Sequence, residues 1–312
     1  APGDPVILPG HPTLHATYDH VGEIVGILGA ATHSIPDRVL LPVAVGSGTI
    51  NDLVKRAAHE LDLPYAVVGT AASMDGYTAS GAALVVDGVK QTVPCRAPHL
   101  VIADLDIVAS APARMTAAGY GDLVGKVTAG ADWILADAVG VEPILPDVWA
   151  SVQGPLPALI GRPNEVAACD PTAIEALLLG LVATGLAIQV AGTTRPASGS
   201  EHQFSHLWEM RGLMFNGEVV SHGFKVGLGT IVSSALYAEL LDTIDREGID
   251  VERAIARYPD ADALDHAILA AHSHPALIAK AREECAAKHL TPDQLRARLE
   301  RLQAAWPDLS GR

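Results

Sequence analysis

The chain has 312 residues, which is enough to bury a large core and to form two domains. Apolar residues make up 49% of it, charged residues 18% and aromatic residues only 4%, so we expect a globular core of Ala, Val, Leu and Ile. The formal net charge of −15 argues against a nucleic-acid partner or an anionic membrane surface, because both bind basic faces.

The three cysteines (Cys95, Cys169 and Cys285) are widely separated, and no pair of them has metal-ligand spacing. They are expected to be free thiols in a reducing compartment. The most apolar segment, 176–188, is too short to cross a bilayer and is typical of a helix buried in a bundle. The sequence therefore predicts a cytoplasmic protein without a membrane span.

Strands and glycine turns dominate the chain up to residue 112. Residues 21–28 predict a short amphipathic helix, and the apolar run 39–45 predicts a strand that leads through Gly46-Ser47-Gly48-Thr49 into a helix over 50–61. Strand, glycine turn and helix in this order are the start of a βαβ unit with a parallel sheet. Further strands are predicted at 65–69, 82–86, 89–93 and 99–105, with Asp87-Gly88 as the turn of a hairpin.

From residue 112 onward the patterns are helical, and several helices begin with a capping residue followed by proline. Helices are predicted over 113–138, 171–191, 201–215, 224–246, 250–257, 261–271, 275–287 and 291–305. The sequence therefore predicts an α/β domain over 1–112 and an all-α domain over 113–312.

The turn Gly46-Ser47-Gly48-Thr49 places small residues where a strand gives way to a helix. Backbone amides and the helix N-terminus at such a turn can bind the diphosphate of a dinucleotide. Asn51 stands where a Rossmann fingerprint has its third glycine, so a plain tight turn is an alternative. Thr70 and Ser73 follow the next strand and would face the same crevice, which favours a nucleotide.

The segment 198–209 carries His202 and His206, which are four residues apart and share a helix face. His222 and Asp122 lie in two other glycine-rich settings, one after this segment and one before it. Two imidazoles and one carboxylate can hold a divalent metal while leaving coordination positions open, as a catalytic site requires. A helix N-cap is the alternative role for Asp122, and an ordinary core or surface position is the alternative for each histidine.

Three further charged residues are candidates for contact with a substrate. Asp75 follows a strand end and would face a substrate hydroxyl, although a turn carboxylate is its alternative role. Lys126, one helical turn beyond Asp122, and Arg195 are candidate cations for an anionic substrate. Either could equally be a solvated surface charge.

Taken together, these segments resemble the sn-glycerol-1-phosphate dehydrogenase family, and within it the bacterial branch. That family is grouped with the dehydroquinate synthases and the iron-type alcohol dehydrogenases, so the resemblance implies a dehydroquinate synthase-like fold. The matching runs follow one another in order and are GSGTINDL (46–53), TAASMDGYTASGA (70–82), GVKQT (88–92), APARMTAAGYGDLVGKVTAGADW (111–133), RPASGSEHQFSHLWEM (195–210) and HGFKVGLGT (222–230).

The resemblance also implies roles for individual residues. A zinc, nickel or iron ion would be held by two histidines and a carboxylate, namely Asp122, His202 and His222. Asp75 would lie beside the substrate hydroxyl, and His206 would contact the substrate or its phosphate. Together with the candidate cation Lys126, we expect these two residues to form the catalytic group. NAD or NADP would be bound by Gly46, Ser47, Gly48, Thr49, Asp52, Thr70, Ser73, Thr78 and Ser80.

The implied reaction is the interconversion of dihydroxyacetone phosphate and sn-glycerol 1-phosphate by a metal-dependent NAD(P)H oxidoreductase of phospholipid metabolism. The substrate would be a small phosphorylated triose or polyol, and the protein a homodimer. Family members carry a longer segment before the glycine turn, which is reached here at Gly46. We therefore expect the nucleotide domain to lack its first strand, either because the N-terminus is truncated or because cofactor binding is weakened or altered.

Three rival interpretations stay open. The chain could be a related polyol dehydrogenase, or a sugar-phosphate cyclase of the dehydroquinate synthase type, which would release phosphate without a net change in NADH. It could also be a truncated homologue that keeps a metal-binding helical domain but binds no dinucleotide. The run HQFSHLWEM (202–210) favours the dehydrogenase.

Overall fold

The computed structural model describes residues 4–10, 14–35 and 37–309. The chain divides into two compact units: one is formed by the residues up to Ala129 together with Pro146–Thr230, and the other by Gly130–Leu145 together with Ile231–Arg312. This division follows spatial packing, whereas the boundary near residue 112 marks a change from strands to helices. Two domains that meet at residue 112 therefore stay a prediction.

The first unit begins with an α/β part and continues with helices. The α/β part consists of α1 (Tyr18–Ser34), β1 (Val43–Gly46), α2 (Gly48–Glu60), β2 (Ala66–Gly69), β3 (Ala82–Val86), β4 (Val89–Val93), β5 (Leu100–Ala103) and α3 (Leu105–Ala109). Next come α4 (Ala113–Ala138), α5 (Pro146–Gln153), α6 (Leu156–Ile160), α7 (Pro163–Ala167), α8 (Pro171–Ala191), α9 (Ser200–Met210), β6 (Met214–Phe215), β7 (Glu218–Val219) and α10 (His222–Glu247).

Helices α4 and α10 both continue into the second unit. The remaining elements there are α11 (Val251–Arg257), α12 (Ala261–Ala271), α13 (Pro275–Lys288) and α14 (Pro292–Leu309). Within this unit α11 packs against α14 and α12 against α13. Arg282 binds both carboxylate oxygens of Asp265, at 2.5 and 2.9 Å, which joins α13 to α12.

Strands β1, β2 and β5 form a parallel sheet in the order β1-β2-β5. Val43 of β1 is level with Ala66 of β2, which is level with Leu100 of β5. Ala44 and Val67 are almost completely buried, so one face of the sheet belongs to the core. Because the strands are parallel, the turn after β1 and the segment after β2 leave the sheet at the same edge. The predicted parallel sheet is confirmed.

The hairpin of β3 and β4 is separate from this sheet. Asp87 and Gly88 at its turn have positive φ angles of 52° and 77°, as a two-residue hairpin turn requires. Leu84 of β3 packs with Leu53 of α2 and Val21 of α1 in one buried cluster. The hairpin is therefore confirmed, and its inner face is held by the helix that follows the glycine turn.

Helix α8 is the central helix of the first unit. Asp170 caps it by accepting a hydrogen bond from Ala173 N at 3.0 Å, and Ile174, Leu177 and Leu181 are completely buried. It packs against the short helices α3, α5, α6 and α7. None of these four was predicted, because a helix of five to eight residues is too short to show a clear helical period.

In the part of the chain that the structure describes, two helices, α8 and α10, are long and apolar enough to cross a membrane when judged by length and composition alone. The apolar segment 176–188 thus lies within a helix of 21 residues. Half of the apolar window of α8 is buried inside the fold. This is weak evidence for a membrane span, because the core helix of a globular protein meets the same criteria.

The helix predicted over 201–215 is wrong at its C-terminal end. Helix α9 ends at Met210, and Gly212 follows with a positive φ of 63°. Asn216 and Gly217, with φ angles of 50° and 81°, then form the turn between β6 and β7. An Asn-Gly pair is a strong hairpin signal, and here it overrides the apolar pattern of the preceding residues.

Candidate metal centre

Three side chains that can hold a metal ion meet in the first unit. Asp122 lies on α4, His202 on α9 and His222 at the first position of α10, and one ligand atom from each lies within 4.8 Å of the others. His202 Nε2 is 3.8 Å from Asp122 Oδ1, and the centroids of the two imidazole rings are 5.3 Å apart. Two imidazole nitrogens and one carboxylate oxygen suit a catalytic divalent metal, whose remaining positions stay open to substrate.

Each of these histidines is oriented by a glutamate of α9. Glu201 Oε1 lies 2.7 Å from His202 Nδ1, and Glu209 Oε1 lies 2.9 Å from His222 Nδ1. In both glutamates burial works to raise the pKa, but the hydrogen bond from the histidine, its charge and further hydrogen bonds together outweigh burial, and the pKa lies below its ordinary value. An ionised carboxylate on Nδ1 leaves Nε2 free to bind a metal, so the residues present fit a divalent ion.

Asp122 is fully buried and has two further partners. Lys126 Nζ lies 2.8 Å from Asp122 Oδ1, and Asp75 N donates to Asp122 Oδ2 at 3.0 Å. Burial works to raise the pKa of Asp122, but the charges of Lys126 and the two histidines lower it to about 2. The carboxylate is therefore ionised at neutral pH and available as a ligand.

Lys126 joins Asp122 to Asp75. Its Nζ is 2.7 Å from Asp75 Oδ2 as well as 2.8 Å from Asp122 Oδ1, and the side chain is fully buried. Burial works to lower the pKa of Lys126, but the two carboxylates outweigh it and raise the pKa above its ordinary value. The ammonium group of Lys126 is thus already paired with two carboxylates. Their negative charges offset its positive charge, so it attracts an anionic substrate only weakly.

Helices α4 and α10 approach each other through glycines close to the ligands. A Cβ placed on Gly121 would lie 2.5 Å from the carbonyl oxygen of Gly223, and a Cβ on Gly223 would overlap the carbonyl of Ala118. Only glycine permits contact this close, because any side chain would separate the two backbones. The crossing brings Asp122 of α4 and His222 of α10 to the same point.

The variant Gly223→Ala is expected to lower the free energy of unfolding by about 1–3 kcal/mol, because the added methyl group must push the two helices apart. Its matched control is Gly26→Ala on α1, where an added Cβ would meet nothing within 4 Å. That control is expected to be neutral or to gain up to ~1 kcal/mol from helix propensity. Urea unfolding measures both, and equal midpoints would contradict the proposed close contact.

The loop between β2 and β3 connects the glycine turn to the metal centre. At its start Thr70 N donates to Gly46 O at 3.1 Å. Further along, the Met74 side chain fills the space beside Gly48, where a Cβ would lie 2.7 Å from Met74 Cε. The next residue, Asp75, makes the contact with the metal ligand described above. The predicted dinucleotide turn and the predicted metal centre are therefore neighbours.

The far end of this loop is fixed by Lys55 of α2. Its fully buried Nζ donates to the carbonyl oxygens of Gly76, Ala79 and Gly81 at 2.8, 2.9 and 3.0 Å. The carboxylate of Asp52 lies 3.8 Å away and supplies the opposite charge. Lys55 thus uses all three of its donors on one loop.

The nine predicted cofactor residues separate into two groups. Six lie in the turn after β1 or the segment after β2, at one edge of the sheet: Gly46, Ser47, Gly48, Thr49, Thr70 and Ser73. The other three have different surroundings. Thr78 is buried and donates to Val182 O at 2.8 Å, Asp52 is buried and accepts from Ala83 N at 3.3 Å, and Ser80 is exposed. Binding of a dinucleotide by any of them stays a prediction.

His206 lies one turn beyond His202 on α9, with the ring centroids 6.2 Å apart. Burial is the largest of the effects that lower its pKa to about 4, and the neighbouring His202 adds to it. Its imidazole is therefore neutral at neutral pH. Arg195, the other candidate cation, is partly buried in the turn between α8 and α9.

Five residues around the centre were not identified from the sequence. Glu201 directly precedes a predicted ligand and Glu209 lies on the same helix, so carboxylates adjacent to ligand histidines were an available signal. Lys55, Lys90 and Lys225 reach their partners from other elements, and no local pattern in the sequence indicates those contacts.

The chain is similar to several characterised groups of proteins. Residues 12–112 match the iron-containing alcohol dehydrogenase family. The chain is 38% identical over 250 residues to a protein of Halalkalibacterium halodurans named glycerol-1-phosphate dehydrogenase [NAD(P)+], and the match covers 79% of this chain and 61% of that protein. A protein of Bacillus licheniformis with the same name is 37% identical over 237 residues, covering 76% of this chain and 58% of that protein.

The fold is also that of a solved structure. A probable glycerol dehydrogenase from Sinorhizobium meliloti has a TM-score of 0.56 at 18% identity, with 94% of this chain and 83% of that chain covered. The chain spans about three fifths of the length of the two named relatives. Sequence motifs, fold and these similarities agree: the chain resembles the proteins named glycerol-1-phosphate dehydrogenase and has the dehydroquinate synthase-like fold of the iron-containing alcohol dehydrogenases.

Proposed function

We propose that this chain is a metal-dependent NAD(P)H oxidoreductase that interconverts dihydroxyacetone phosphate and sn-glycerol 1-phosphate. The observation that carries the proposal is the trio of Asp122, His202 and His222 with a glutamate on each histidine. The loop between β2 and β3 begins beside the glycine turn, and its residue Asp75 donates a hydrogen bond to Asp122 of this trio. A dinucleotide at the turn would therefore lie beside the metal, as hydride transfer to a polarised ketone requires.

A divalent ion held by the trio would polarise the ketone oxygen as a Lewis acid. Zinc or nickel is the proposed ion. Iron fits the same donors, because nitrogen and oxygen ligands alone do not select among these three metals. Glu201 and Glu209 fix the two imidazole rings, so the ligand atoms are in place before the ion binds. Lys126 balances the charge of Asp122 and keeps Asp75 beside it.

The dinucleotide is proposed to bind at the edge of the parallel sheet. Its diphosphate would receive hydrogen bonds from the backbone amides of the turn 46–49 and lie at the N-terminus of α2, where the helix dipole favours an anion. The N-cap Ser47 makes no side-chain capping bond at that helix end. Thr70 and Ser73 flank the same edge and would contact the nicotinamide half.

Asp75 is proposed to hold the substrate hydroxyl. Its side chain is 15% exposed, so a ligand can reach it, and Lys126 fixes one carboxylate oxygen. The other oxygen can accept a hydrogen bond from the hydroxyl next to the reacting carbon and orient that carbon towards the nicotinamide. His206, neutral and one helical turn from His202, is proposed as a second substrate contact.

The direct test combines metal analysis with assays of NADH and NADPH oxidation. We expect about one divalent ion per chain and oxidation of either cofactor with dihydroxyacetone phosphate, with product that is sn-glycerol 1-phosphate and not its enantiomer. Metal-loaded protein that is inert to dihydroxyacetone phosphate would contradict the proposal. Activity with glycerol alone would indicate a polyol dehydrogenase. Release of phosphate without a net change in NADH would indicate a cyclase. Failure to bind NADH or NADPH would indicate a non-catalytic homologue.

The variant Asp75→Asn is expected to keep the metal and to lower kcat by about 10²-fold, the usual contribution of a group that handles or orients a proton. The backbone amide that Asp75 donates to Asp122 is unchanged by this substitution, so the ligand keeps its partner. Asp87→Asn, at the exposed turn of the hairpin, is the control and should match the unmodified protein. Unchanged turnover in Asp75→Asn would leave Asp75 as a turn residue only.

A homodimer in the cytoplasm is part of the same proposal, and the homodimer is what the resemblance to this family implies. Sedimentation equilibrium of the purified protein measures the assembly directly. A mass near twice 32.4 kDa is the expected result, and a monomer at micromolar concentration would contradict it.

A further inference from the structure

The carboxylate of Glu201 is held from three sides. It is completely buried, and it directly precedes the candidate metal ligand His202. Its Oε1 accepts a hydrogen bond from Gly199 N at 2.7 Å and lies 2.7 Å from His202 Nδ1. Its Oε2 accepts a hydrogen bond from the hydroxyl of Thr128, also at 2.7 Å. Thr128 lies on α4, so a second helix holds the oxygen that does not face the histidine.

The hydroxyl of Thr128 has two acceptors within reach. Gly125 O lies 3.1 Å from Thr128 Oγ1, and Glu201 Oε2 lies 2.7 Å from it. A hydroxyl has one hydrogen to donate, and a hydrogen bond to a carboxylate is shorter and stronger than one to a neutral carbonyl. We therefore take Glu201 as the acceptor. Two other buried threonines, Thr184 and Thr230, donate to carbonyl oxygens of their own helices at 2.8 and 2.9 Å.

Close packing of helices confines Glu201 further. A Cβ placed on Gly125 of α4 would lie 3.3 Å from Glu201 Cγ, and a Cβ on Gly229 of α10 would lie 2.3 Å from Glu201 O. The side chain and the main chain of this glutamate thus lie against two other helices. Water has little access to a carboxylate enclosed in this way, so an oxygen that lost a protein donor would not regain one from solvent.

The position of this carboxylate determines the direction of the His202 ring. With Oε1 on Nδ1, the other ring nitrogen, Nε2, lies 3.8 Å from Asp122 Oδ1. A carboxylate on one ring nitrogen orients the imidazole and leaves the other nitrogen to the metal. If Oε2 lost the Thr128 hydroxyl, the carboxylate could turn about its terminal bond, and its contact with Nδ1 would change. The orientation of His202 therefore depends on a hydroxyl that bonds only its glutamate partner.

We propose that Thr128 is a positioning residue of the metal centre, which acts through Glu201 on the ligand His202. The inference deepens the function proposed above and rests on it for the metal. The Thr128 hydroxyl holds one oxygen of Glu201, so that the other oxygen stays on the histidine. His202 Nε2 is then in place before an ion binds.

The first test measures the affinity of the protein for Zn²⁺ alone, by competition with a chromophoric chelator. Thr128→Val keeps the shape of the side chain but removes the hydroxyl. It is expected to weaken zinc binding about 10-fold, the lower end of the range for a group hydrogen-bonded to a ligand, because Thr128 is one step further away. Thr128→Ser keeps the hydroxyl and should bind zinc as the unmodified protein does.

Thr184→Val is the matched control for this substitution. Thr184 is as deeply buried as Thr128, but its hydroxyl bonds Gly180 O of its own helix, so its loss should leave zinc affinity unchanged. Equal zinc affinity in Thr128→Val and the unmodified protein would overturn the inference.

The second test separates positioning from a loss of stability. Both valine variants lose a buried hydrogen bond, so both should have a lower Tm. The visible absorption spectrum of Co²⁺-loaded protein reports ligand geometry, and we expect its bands to change in Thr128→Val but not in Thr128→Ser or Thr184→Val. A lower Tm with an unchanged cobalt spectrum would show a structural role alone and would refute the proposal. Should Thr128→Val fail to fold, Thr128→Cys decides the result, since a thiol is only a weak donor.

Neither measurement uses the reaction. A protein that binds Zn²⁺ but does not reduce dihydroxyacetone phosphate contradicts the proposed function, and the zinc affinities still decide the role of Thr128. If the unmodified protein binds neither Zn²⁺ nor Co²⁺, the metal centre itself is refuted, and the inference about Thr128 fails with it.

Discussion

His222→Ala is expected to abolish stoichiometric metal binding and, with it, turnover of dihydroxyacetone phosphate. The substitution leaves only Asp122 and His202, which form an incomplete set for a catalytic metal that normally has three protein ligands. It also removes one partner of Glu209, whose carboxylate would then be shared by Lys90 and Lys225 alone. The affinity for the metal should fall by more than the roughly 10–100-fold that follows removal of a residue hydrogen-bonded to a ligand.

Metal content after dialysis against a weak chelator measures this effect. Glu209→Gln supplies the intermediate case, because it keeps the ligand but removes the carboxylate from His222 Nδ1, and should lose about 10–100-fold in affinity. His33→Ala, on the exposed end of α1, is the control and should bind metal normally. A full complement of metal in His222→Ala would show that His222 is not a ligand.

Lys55→Met is expected to destabilise the protein by about 3–5 kcal/mol, the usual cost of removing one partner of a buried charged network. Methionine fills a similar volume but donates to none of the three carbonyls of the loop at Gly76, Ala79 and Gly81. It also removes from the buried carboxylate of Asp52 the cation with the largest effect on it, and burial already raises the pKa of that group. Both effects act on the loop that carries Asp75.

Thermal unfolding measures this loss, and a fall in Tm of about 10 °C corresponds to the expected change for a chain of this size. Lys280→Met is the control, since Lys280 is 44% exposed on α13 and pairs with Glu284 only at 4.0 Å. Hydrogen exchange should show faster exchange in the loop 74–81 of Lys55→Met than in the core of α8. If Tm were unchanged, the three carbonyls would have other partners, and Lys55 would not fix the loop.

Several parts of the fold could be predicted because they depend on local sequence. The turn Gly46-Ser47-Gly48-Thr49 between β1 and α2 and the Asp87-Gly88 hairpin follow from turn residues flanked by apolar runs. Helix α8 begins at Pro171, directly after its cap Asp170, as a capping residue followed by proline indicates. These signals act within a few residues and do not depend on the rest of the chain.

The metal trio is a different case, because Asp122 and His202 are far apart in the sequence. Their residue types indicated a metal, and the resemblance to a family selected these three from the other histidines. The structure brings the trio together. It also separates His206 from the trio, since that imidazole lies a helical turn away from His202.

Lys126 was a candidate from the sequence, but the burial of the lysines and most of their partners could not be predicted, because these depend on contacts between distant elements. Lys55 and Lys126 are both completely buried, which is unusual for lysine and cannot be read from a single sequence. Lys90 contacts Glu209 from a hairpin that lies 119 residues earlier in the chain. Only the folded arrangement distinguishes these side chains from solvated surface charges.

The glycine contact between α4 and α10 determines how metal binding should appear in a calorimeter. Because Gly121 and Gly223 bring the two backbones together, the main chain fixes the starting points of Asp122 and His222, and hydrogen bonds from Lys126 and to Glu209 hold their side chains. Little conformational entropy then remains to be lost when an ion binds, and little apolar surface is newly covered. We expect a heat-capacity change close to zero, an unchanged circular dichroism spectrum after chelation, and a gain in Tm that follows mass action alone.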